Sequence, residues 1–356
     1  MKFIHISDIR FGCTPDANMP WAKERENAVE AAFSRILSAC RREEADCLLI
    51  SGGLFYGQPT LELMDKVSAY FNTIPRVQVI IIGGSQDYAG ASSLARAYRW
   101  PENVTYAASG ELTRISLKES DAEIYAASWT SSREKPDYSA LPGETAAAVR
   151  ILMVYGGDAQ RPAVTEEVLN QAGYTYAALG GCSRASVLYE GKAVYSGAPV
   201  PLSMKDTGKH GYYAGMTGPD GMLVSLKFIQ LPGVRYIPLT VGVTPDSTNK
   251  EVIRNVAAEL RRRGEKNIYR IRLTGKRSPG EIFCLDELRD GFRIYEITDE
   301  TEPEYDFRQL FAGHSSDIIG SYVKEMNTEE ASEVKRKALY YGVDALLQTA
   351  EKETER

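Results

Sequence analysis

FIHISDIRFG, residues 3–12, is the stretch whose reading decides the fold. Phe3 to Ser7 reads as a buried strand that ends on the acidic Asp8, with Arg10 two residues later. An Asp-x-His at the end of a first strand presents two metal ligands side by side. Here the second ligand position holds a cation, so the stretch predicts the strand and the site while leaving its chemistry open.

Outward from it, further apolar runs end in paired glycines: DCLLISGG (46–53), RVQVIIIGG (76–84), RILMVYGG (150–157) and YTYAALGG (174–181). Continuous apolar runs of this kind are typical of buried parallel strands. Between them, residues 22–43 carry Ala28, Ala31, Ala32, Ile36 and Leu37 at helical spacing, and 60–73 and 164–172 also read as helices. The β-α-β-α-β order predicts an α/β sheet with helices on its faces. Shorter strands are predicted at 103–108, 112–117 and 123–128, and a surface loop at 129–147. Hairpins are predicted at 186–197 and 211–231, the second turning at Pro219-Asp220-Gly221. The glycine exits fall on the carboxyl ends of the strands, the edge where open α/β sheets build their sites.

After about residue 233 the pattern changes. A strand, a charged helix (248–264) and two further strands predict a small α+β domain. From 305 onward the chain reads as helical, with Leu339, Tyr340, Val343, Leu346 and Leu347 on one stripe. That stripe packs on its own domain or lies in a partner's groove. The domain division expected is 1–232, 233–300 and 301–356.

The 356 residues are 43% hydrophobic and 25% charged, an ordinary globular composition. The net charge of −6 is opposite to that of a dedicated nucleic-acid binder, whose affinity rests on phosphate contacts. Five scattered cysteines without C-x-x-C spacing fit a reduced compartment and not a structural zinc site. No apolar run reaches the roughly 18 residues that cross a bilayer, and no signal peptide is visible, so a cytoplasmic protein without a membrane partner is expected. Only three histidines occur, His5, His210 and His314, too few for an imidazole-rich pair of metal ions.

The strand exits form a series: SDIRFG (7–12), SGGLFYGQP (51–59), GGSQDY (83–88), VYGGD (154–158) and LGGCSRA (179–185). The series resembles the calcineurin-like metallophosphoesterase family and, more narrowly, the SbcD-type DNA repair exonuclease subunits. FIHISDIRFG resembles their opening strand, with a non-ligand histidine at His5, and LLISGGLFYGQPT their second motif. YSGAPVPLS (195–203) resembles their Tyr-Pro-Gly-Ser-Pro turn, and LYYGVDALL (339–347) segments of one bacterial branch. The resemblance covers nearly the whole chain. It implies a sandwich of two mixed sheets flanked by helices, followed by a small α+β capping domain.

Family members hold two Mn²⁺-type ions. Carried over position by position, Asp8 keeps the first ligand, while the histidine of the first motif is Arg10 and the bridging aspartate of the second is Gly53. The asparagine and histidine of the Gly-Asn-His-Asp motif are Ser85 and Gln86, with the closing Asp87 retained. The later histidines are replaced by Tyr155, Gly181 and Ser183. Two divalent cations side by side need a bridging carboxylate, which Gly53 cannot supply, and Arg10 adds a charge that never deprotonates. No metal cofactor and no catalytic residue is therefore expected. Arg10 is expected to replace the metal's charge between Asp8 and Asp87, which without it would be uncompensated.

Other readings are weighed beside these. Asp8 and Asp87 are residual ligands or, three times as readily, structural carboxylates. Cys13 and Asp158 with Asp8 are a minor candidate for a single improvised metal site. Cys182 is a small buried residue before it is a nucleophile. Arg10 with Arg184 is a candidate phosphate pocket. The basic run Arg261, Arg262 and Arg263, with Arg254, Lys266 and Arg270, either touches a nucleic-acid backbone or is a solvated face. His210 reads as a surface or turn residue, and His314 is too remote in sequence to assign.

The expectation is a catalytically degenerate SbcD-like homologue, a scaffold subunit for an SbcC-like ABC-type ATPase, with DNA contact and a homodimer both open. The alternatives are a weakened or rewired metal-dependent phosphoesterase or exonuclease, and an interaction module without nucleic acid.

Overall fold

The computed structural model describes residues 1–139, 147–327 and 332–354. The chain divides into two compact units, Met1–Tyr236 and Ile237–Arg356. The strands and the helices that follow residue 236 belong to the same second unit, so the expected division at 300 is not seen.

In chain order the first unit comprises β1 (Lys2–Ile6), α1 (Ala22–Arg42), β2 (Cys47–Ser51), α2 (Leu61–Phe71), β3 (Gln78–Ile82), α3 (Leu94–Ala97), β4 (Val104–Tyr106) and β5 (Thr113–Leu117). There follow β6 (Ala122–Ala126), β7 (Val149–Tyr155), α4 (Glu166–Gln171), β8 (Tyr176–Gly180), β9 (Ser186–Leu188), β10 (Ala193–Tyr195), β11 (Gly211–Thr217) and β12 (Leu223–Gln230). They form two six-stranded sheets, ordered β12-β11-β1-β2-β3-β4 and β5-β6-β7-β8-β10-β9. Both are mixed. β1, β2, β3 and β4 run parallel, as do β6, β7, β8 and β10; antiparallel β11 and β12 close one end of the first sheet, and antiparallel β5 and β9 close the two ends of the second. The unit is thus α/β, with mixed sheets flanked by helices.

The strands bury both faces, which is why they read as continuous apolar runs. On one face of β1, Phe3 joins Leu49 and Ile80 against Ile124, Ile151, Met153 and Tyr176 of the other sheet. On the opposite face, Ile4, Ile6, Leu48 and Ile50 pack with Phe33 and Ile36 of α1 and Met64 and Val67 of α2. The α1 spacing Val29, Phe33, Ile36, Leu37, Cys40 is the buried stripe that helical periodicity demands. Thr60 starts α2 by accepting a hydrogen bond from Leu63 N.

His5 lies between the sheets, fully buried, with Nδ1 2.9 Å from the Tyr176 hydroxyl. His210 is not the surface residue expected. It is buried, its ring nitrogens 2.9 Å from Ala198 O and 3.1 Å from Asp206 O, and it ties the turn after β10 to the start of β11. The 129–147 loop is also less superficial than its composition suggests, since Tyr138 is buried against Tyr155. Residues 140–146 of that reading lie outside the described residues.

The second unit begins within β13 (Tyr236–Val243), whose Tyr236 still belongs to the first, and contains α5 (Asn249–Arg263), β14 (Ile268–Arg277), β15 (Arg293–Pro303), α6 (Phe307–Gly313), α7 (Ile318–Met326) and α8 (Glu333–Thr354). The strands form a three-stranded sheet in the order β13-β14-β15. A capping box of Thr248 and Glu251 starts α5, whose Val252, Val256 and Leu260 pack on Tyr269, Ile271 and Leu273. The apolar stripe of α8 is consumed internally: Leu339 and Val343 are buried with Ile319 and Val323, and Leu346 and Leu347 pack against them. Among the described residues no helix is long and apolar enough to cross a membrane.

Candidate functional site

The carboxyl ends of β1, β2, β3, β7 and β8 bring the sequence-predicted positions together. The exit of β1 is laced to that of β2: Asp8 N donates to Gly52 O at 3.0 Å, Arg10 N to Gly53 O at 2.9 Å and Phe11 N to Leu54 O at 2.8 Å. This lacing holds Asp8 (φ +54°) and Arg10 (φ +61°) in the left-handed region, a strained conformation that tends to mark functional positions.

Asp8 is buried. Its Oδ2 accepts from Gly181 N at 2.8 Å. Its Oδ1 accepts from Arg10 Nη2 at 2.8 Å and from the Tyr155 hydroxyl at 3.4 Å. Arg10 also donates to Gln86 Oε1 through Nη1, and to the Tyr155 oxygen at 3.1 Å. One guanidinium thus joins the exits of β1, β3 and β7. Burial works against its charge, but Asp8, Tyr155 and Asp87 outweigh that and hold Arg10 above its ordinary range.

Asp87 is satisfied differently from the expectation. Its carboxylate is capped by three backbone amides, Gly84 N at 2.8 Å, Gly53 N at 3.2 Å and Phe55 N at 3.2 Å. Arg10 reaches it as a nearby charge and not through a hydrogen bond. Burial pushes the Asp87 carboxyl up, and the amides of Gly84 and Phe55, the Arg10 charge and the Gly53 amide oppose the rise.

Tyr155 is the centre of the packing. A Cβ on Gly84 would stand 2.6 Å from its ring, and one on Gly52 would fall inside the ring's envelope, so these glycines make room for it. Ser85 is near enough to act on its phenol, in the lowering direction. Its backbone is fixed by Trp129 Nε1 on Tyr155 O at 2.9 Å and by Tyr155 N on the Tyr138 hydroxyl at 3.1 Å. Burial and the Asp8 charge push the phenol up, so it stays a neutral donor. At Gly53 a Cβ would stand 2.7 Å from Asp8 Oδ1.

Above this layer opens a cleft of about 700 Å³, lined by Asp8, Arg10, Gln86, Gly181 and Ser183 from the predicted set. Among the lining residues that sequence reasoning missed are Thr14, Asp16, Tyr56 and Asp206. Asp206 caps its own turn, accepting from Leu202 N and Ser203 N, both at 3.0 Å. Asp16 accepts from Trp21 Nε1 at 2.9 Å and the Tyr236 hydroxyl at 2.8 Å, and faces buried Arg25 at 4.0 Å. Asp206 could have been read as the cap of its own turn, whereas the bond of Asp16 to Tyr236 comes from a distant segment that no local pattern marks.

Arg10 is the one cation among the described residues lining the cleft, and it is already engaged. Arg184 is exposed, donates to Thr207 Oγ1 at 3.2 Å and does not line the cleft. Cys13 lines the cleft, its thiol pushed up to about 11 by burial, whereas exposed Asp158 caps its own loop through Gln160 N and Arg161 N. Among the described residues no three His, Cys, Asp or Glu side chains come together as a metal-ion group. Cys182 is half-buried, and His314 pairs with Asp317 at 2.6 Å on the second unit. In the basic run, Arg262 and Arg263 both bind Glu259, at 2.7 and 3.1 Å, Arg261 lies over Phe292, and Arg270 pairs with Glu296 at 2.7 Å.

No protein-family model matches the chain, and no curated protein matches it.

Proposed function

We propose that the first unit is a degenerate metallophosphoesterase-like domain of the SbcD type, and that the chain is a non-hydrolytic scaffold subunit. The observation that carries this reading is the bond of Arg10 to Asp8, Gln86 and Tyr155, in the middle of the five convergent strand exits. In two-metal hydrolysis that space holds cations which clamp the attacking and leaving oxygens. Here a fixed guanidinium supplies the positive charge, Asp87 is spent on backbone amides, and Gly53 offers no bridge. The residues present do not fit a pair of divalent ions. The resemblance extends the proposal to a cytoplasmic complex with an SbcC-like ATPase.

The test is the Mn²⁺ retained per chain after dialysis against excess MnCl₂, with Asp8→Ala as control. No retained metal supports the scaffold reading. Stoichiometric metal that disappears in Asp8→Ala would replace it with a rewired phosphoesterase.

A further inference from the structure

The connection between β10 and β11, residues 196–210, forms one wall of the cleft through Leu202 and Asp206. Its end is fixed to the sheet, since Leu231 N donates to His210 O at 2.9 Å and Gly211 pairs with Gln230. From that anchor the buried His210 ring reaches back to the connection at two points. Nδ1 lies 2.9 Å from Ala198 O and Nε2 lies 3.1 Å from Asp206 O.

A carbonyl oxygen only accepts, so each contact needs an N–H on the ring. Neutral imidazole has one N–H and one bare nitrogen, whereas imidazolium has two N–H groups. In the neutral ring one nitrogen would turn its lone pair on a buried carbonyl oxygen, and that hydrogen bond would be lost. The other buried histidine is placed differently: Nδ1 of His5 faces the Tyr176 hydroxyl, which donates as well as accepts.

A buried cation needs a countercharge. The Asp206 carboxylate accepts from Leu202 N, Ser203 N and Ser203 Oγ and, among the described residues, pairs with no Lys or Arg. It lies on a residue the ring already touches. The other charges on the elements around the ring are balanced or hydrated. Arg25 of α1 donates to Pro201 O and faces Asp16 at 4.0 Å. Arg35 of α1 donates to Pro232 O at 3.2 Å, Arg184 donates to Thr207 Oγ1 at 3.2 Å, and both are exposed, as are Lys205 and Lys209. β11 and β12 place Gly211, Gln230 and Leu231 beside the ring, none of them titratable.

We propose that His210 is a doubly protonated clamp, and that losing one of its protons releases this wall of the cleft. With both protons the ring pins the connection at Ala198 and Asp206, and Asp206 in turn holds the turn that carries Leu202. When pH rises and the ring gives up a proton, one pin is lost. The wall is therefore closed on the acid side and loosens toward alkaline pH, in the range where histidine alone among unperturbed side chains changes charge. His210 acts through Leu202 and Asp206, so it is a positioning residue.

Long-range ¹H–¹⁵N correlation at about pH 7 reads the ring nitrogens directly. His210→Gln assigns the His210 signal; if that variant does not fold, His5→Gln and His314→Gln assign the other two of the three histidines. Two protonated nitrogens are expected on His210, and one protonated beside one bare nitrogen would overturn the proposal. Hydrogen exchange of the Leu202, Ser203 and Asp206 amides, corrected for intrinsic rates, reads the wall. Their protection should fall about tenfold more than that of β1 and β2 between about pH 6 and pH 8.5. Protection that runs parallel in the two regions, or a pH dependence kept in folded His210→Gln, would also overturn it. Neither readout involves metal or a partner, so this clamp and the scaffold reading fail separately.

Discussion

Arg10 and Asp8 stand two residues apart on one strand exit, both with left-handed backbones, and their side chains meet at 2.8 Å with 16% and 4% of their surface exposed. An ion pair this enclosed behaves differently from a surface pair. Removing one partner strands the other charge away from water, which costs about 3 kcal/mol, whereas removing both charges costs less. Arg10→Ala is therefore expected to destabilise the first unit by about 3 kcal/mol, and Asp8→Asn with Arg10→Met by less than Arg10→Ala alone. The three tryptophans, Trp21, Trp100 and Trp129, all lie in the first unit, so their emission during denaturant unfolding reports on it. A loss below about 0.5 kcal/mol for Arg10→Ala would reduce the pair to an ordinary surface contact.

Tyr155 separates packing from hydrogen bonding. Tyr155→Phe keeps the ring between Gly52 and Gly84 and gives up only the hydroxyl's bonds to Asp8 and Arg10, a cost of about 1 kcal/mol. Tyr155→Ala also empties the space under Trp129 and is expected to cost about 3–5 kcal/mol. Equal losses in the two variants would mean that the ring contributes nothing beyond its hydroxyl.

The sequence exposed the fold more fully than the site, and the reason is physical. The glycine-ended apolar runs are local signals, and β1, β2, β3, β7 and β8 lie where those runs predict. The turn at Pro219-Asp220-Gly221 likewise joins β11 and β12 as expected. Convergence of Asp8, Gln86, Tyr155 and Gly181 follows from the strand order, because all stand at carboxyl ends. What stayed hidden depends on long-range partners. Asp87 is satisfied by amides of Gly53 and Phe55, more than thirty residues earlier. His210 is buried because Ala198 O and Asp206 O surround it, and no pattern in TGKHGYY announces that.

Gly53 shows why the site does not return to a metal centre by one change. Its φ is +68°, and a Cβ there would stand 2.7 Å from Asp8 Oδ1 and 2.8 Å from Asp8 Cα. The second clash is with backbone and survives any rotation of the Asp8 side chain. Gly53→Asp, which rebuilds the bridging carboxylate in sequence, is expected to cost about 2–4 kcal/mol and to bind no Mn²⁺. Thermal melting with metal titration checks both. Unchanged melting together with Mn²⁺ uptake would show that the β1 and β2 exits can move apart.

His5 sets a pH dependence. Burial lowers its imidazole from 6.5 to about 3, only partly opposed by the nearby backbone of Leu179. Between those values the unfolded chain binds a proton that the folded chain refuses. Stability is therefore whole above about pH 6.5 and falls as pH drops toward 3, by at most about 1.4 kcal/mol per unit. His5→Gln does not titrate, so its stability should fall less steeply than the wild type's between pH 6.5 and 5. Parallel slopes for the two proteins would show that His5 is protonated in the folded state.

The helix α8 decides how a partner can use the tail. The stripe that sequence reading offered to an ATPase groove is occupied, with Leu339 and Val343 buried on α7. Tyr340 and Asp344 are tied to β14 through Lys276 at 3.0 Å and Arg277 at 3.1 Å. Deleting 330–356 would strip a core and not only a docking surface, so loss of binding after that deletion would be ambiguous. Val343→Asp buries an unpaired carboxylate and is expected to cost about 3 kcal/mol or more, seen as lost helix in circular dichroism. Val334 and Tyr341 of α8 are 78% and 74% exposed and, among the described residues, offer the proposed partner an apolar contact. Val334→Ala with Tyr341→Ala should leave the melting curve in place and weaken capture by an SbcC-like ATPase. Undiminished capture by that variant would remove α8 as the docking element, because its other face is already spent on the chain's own fold.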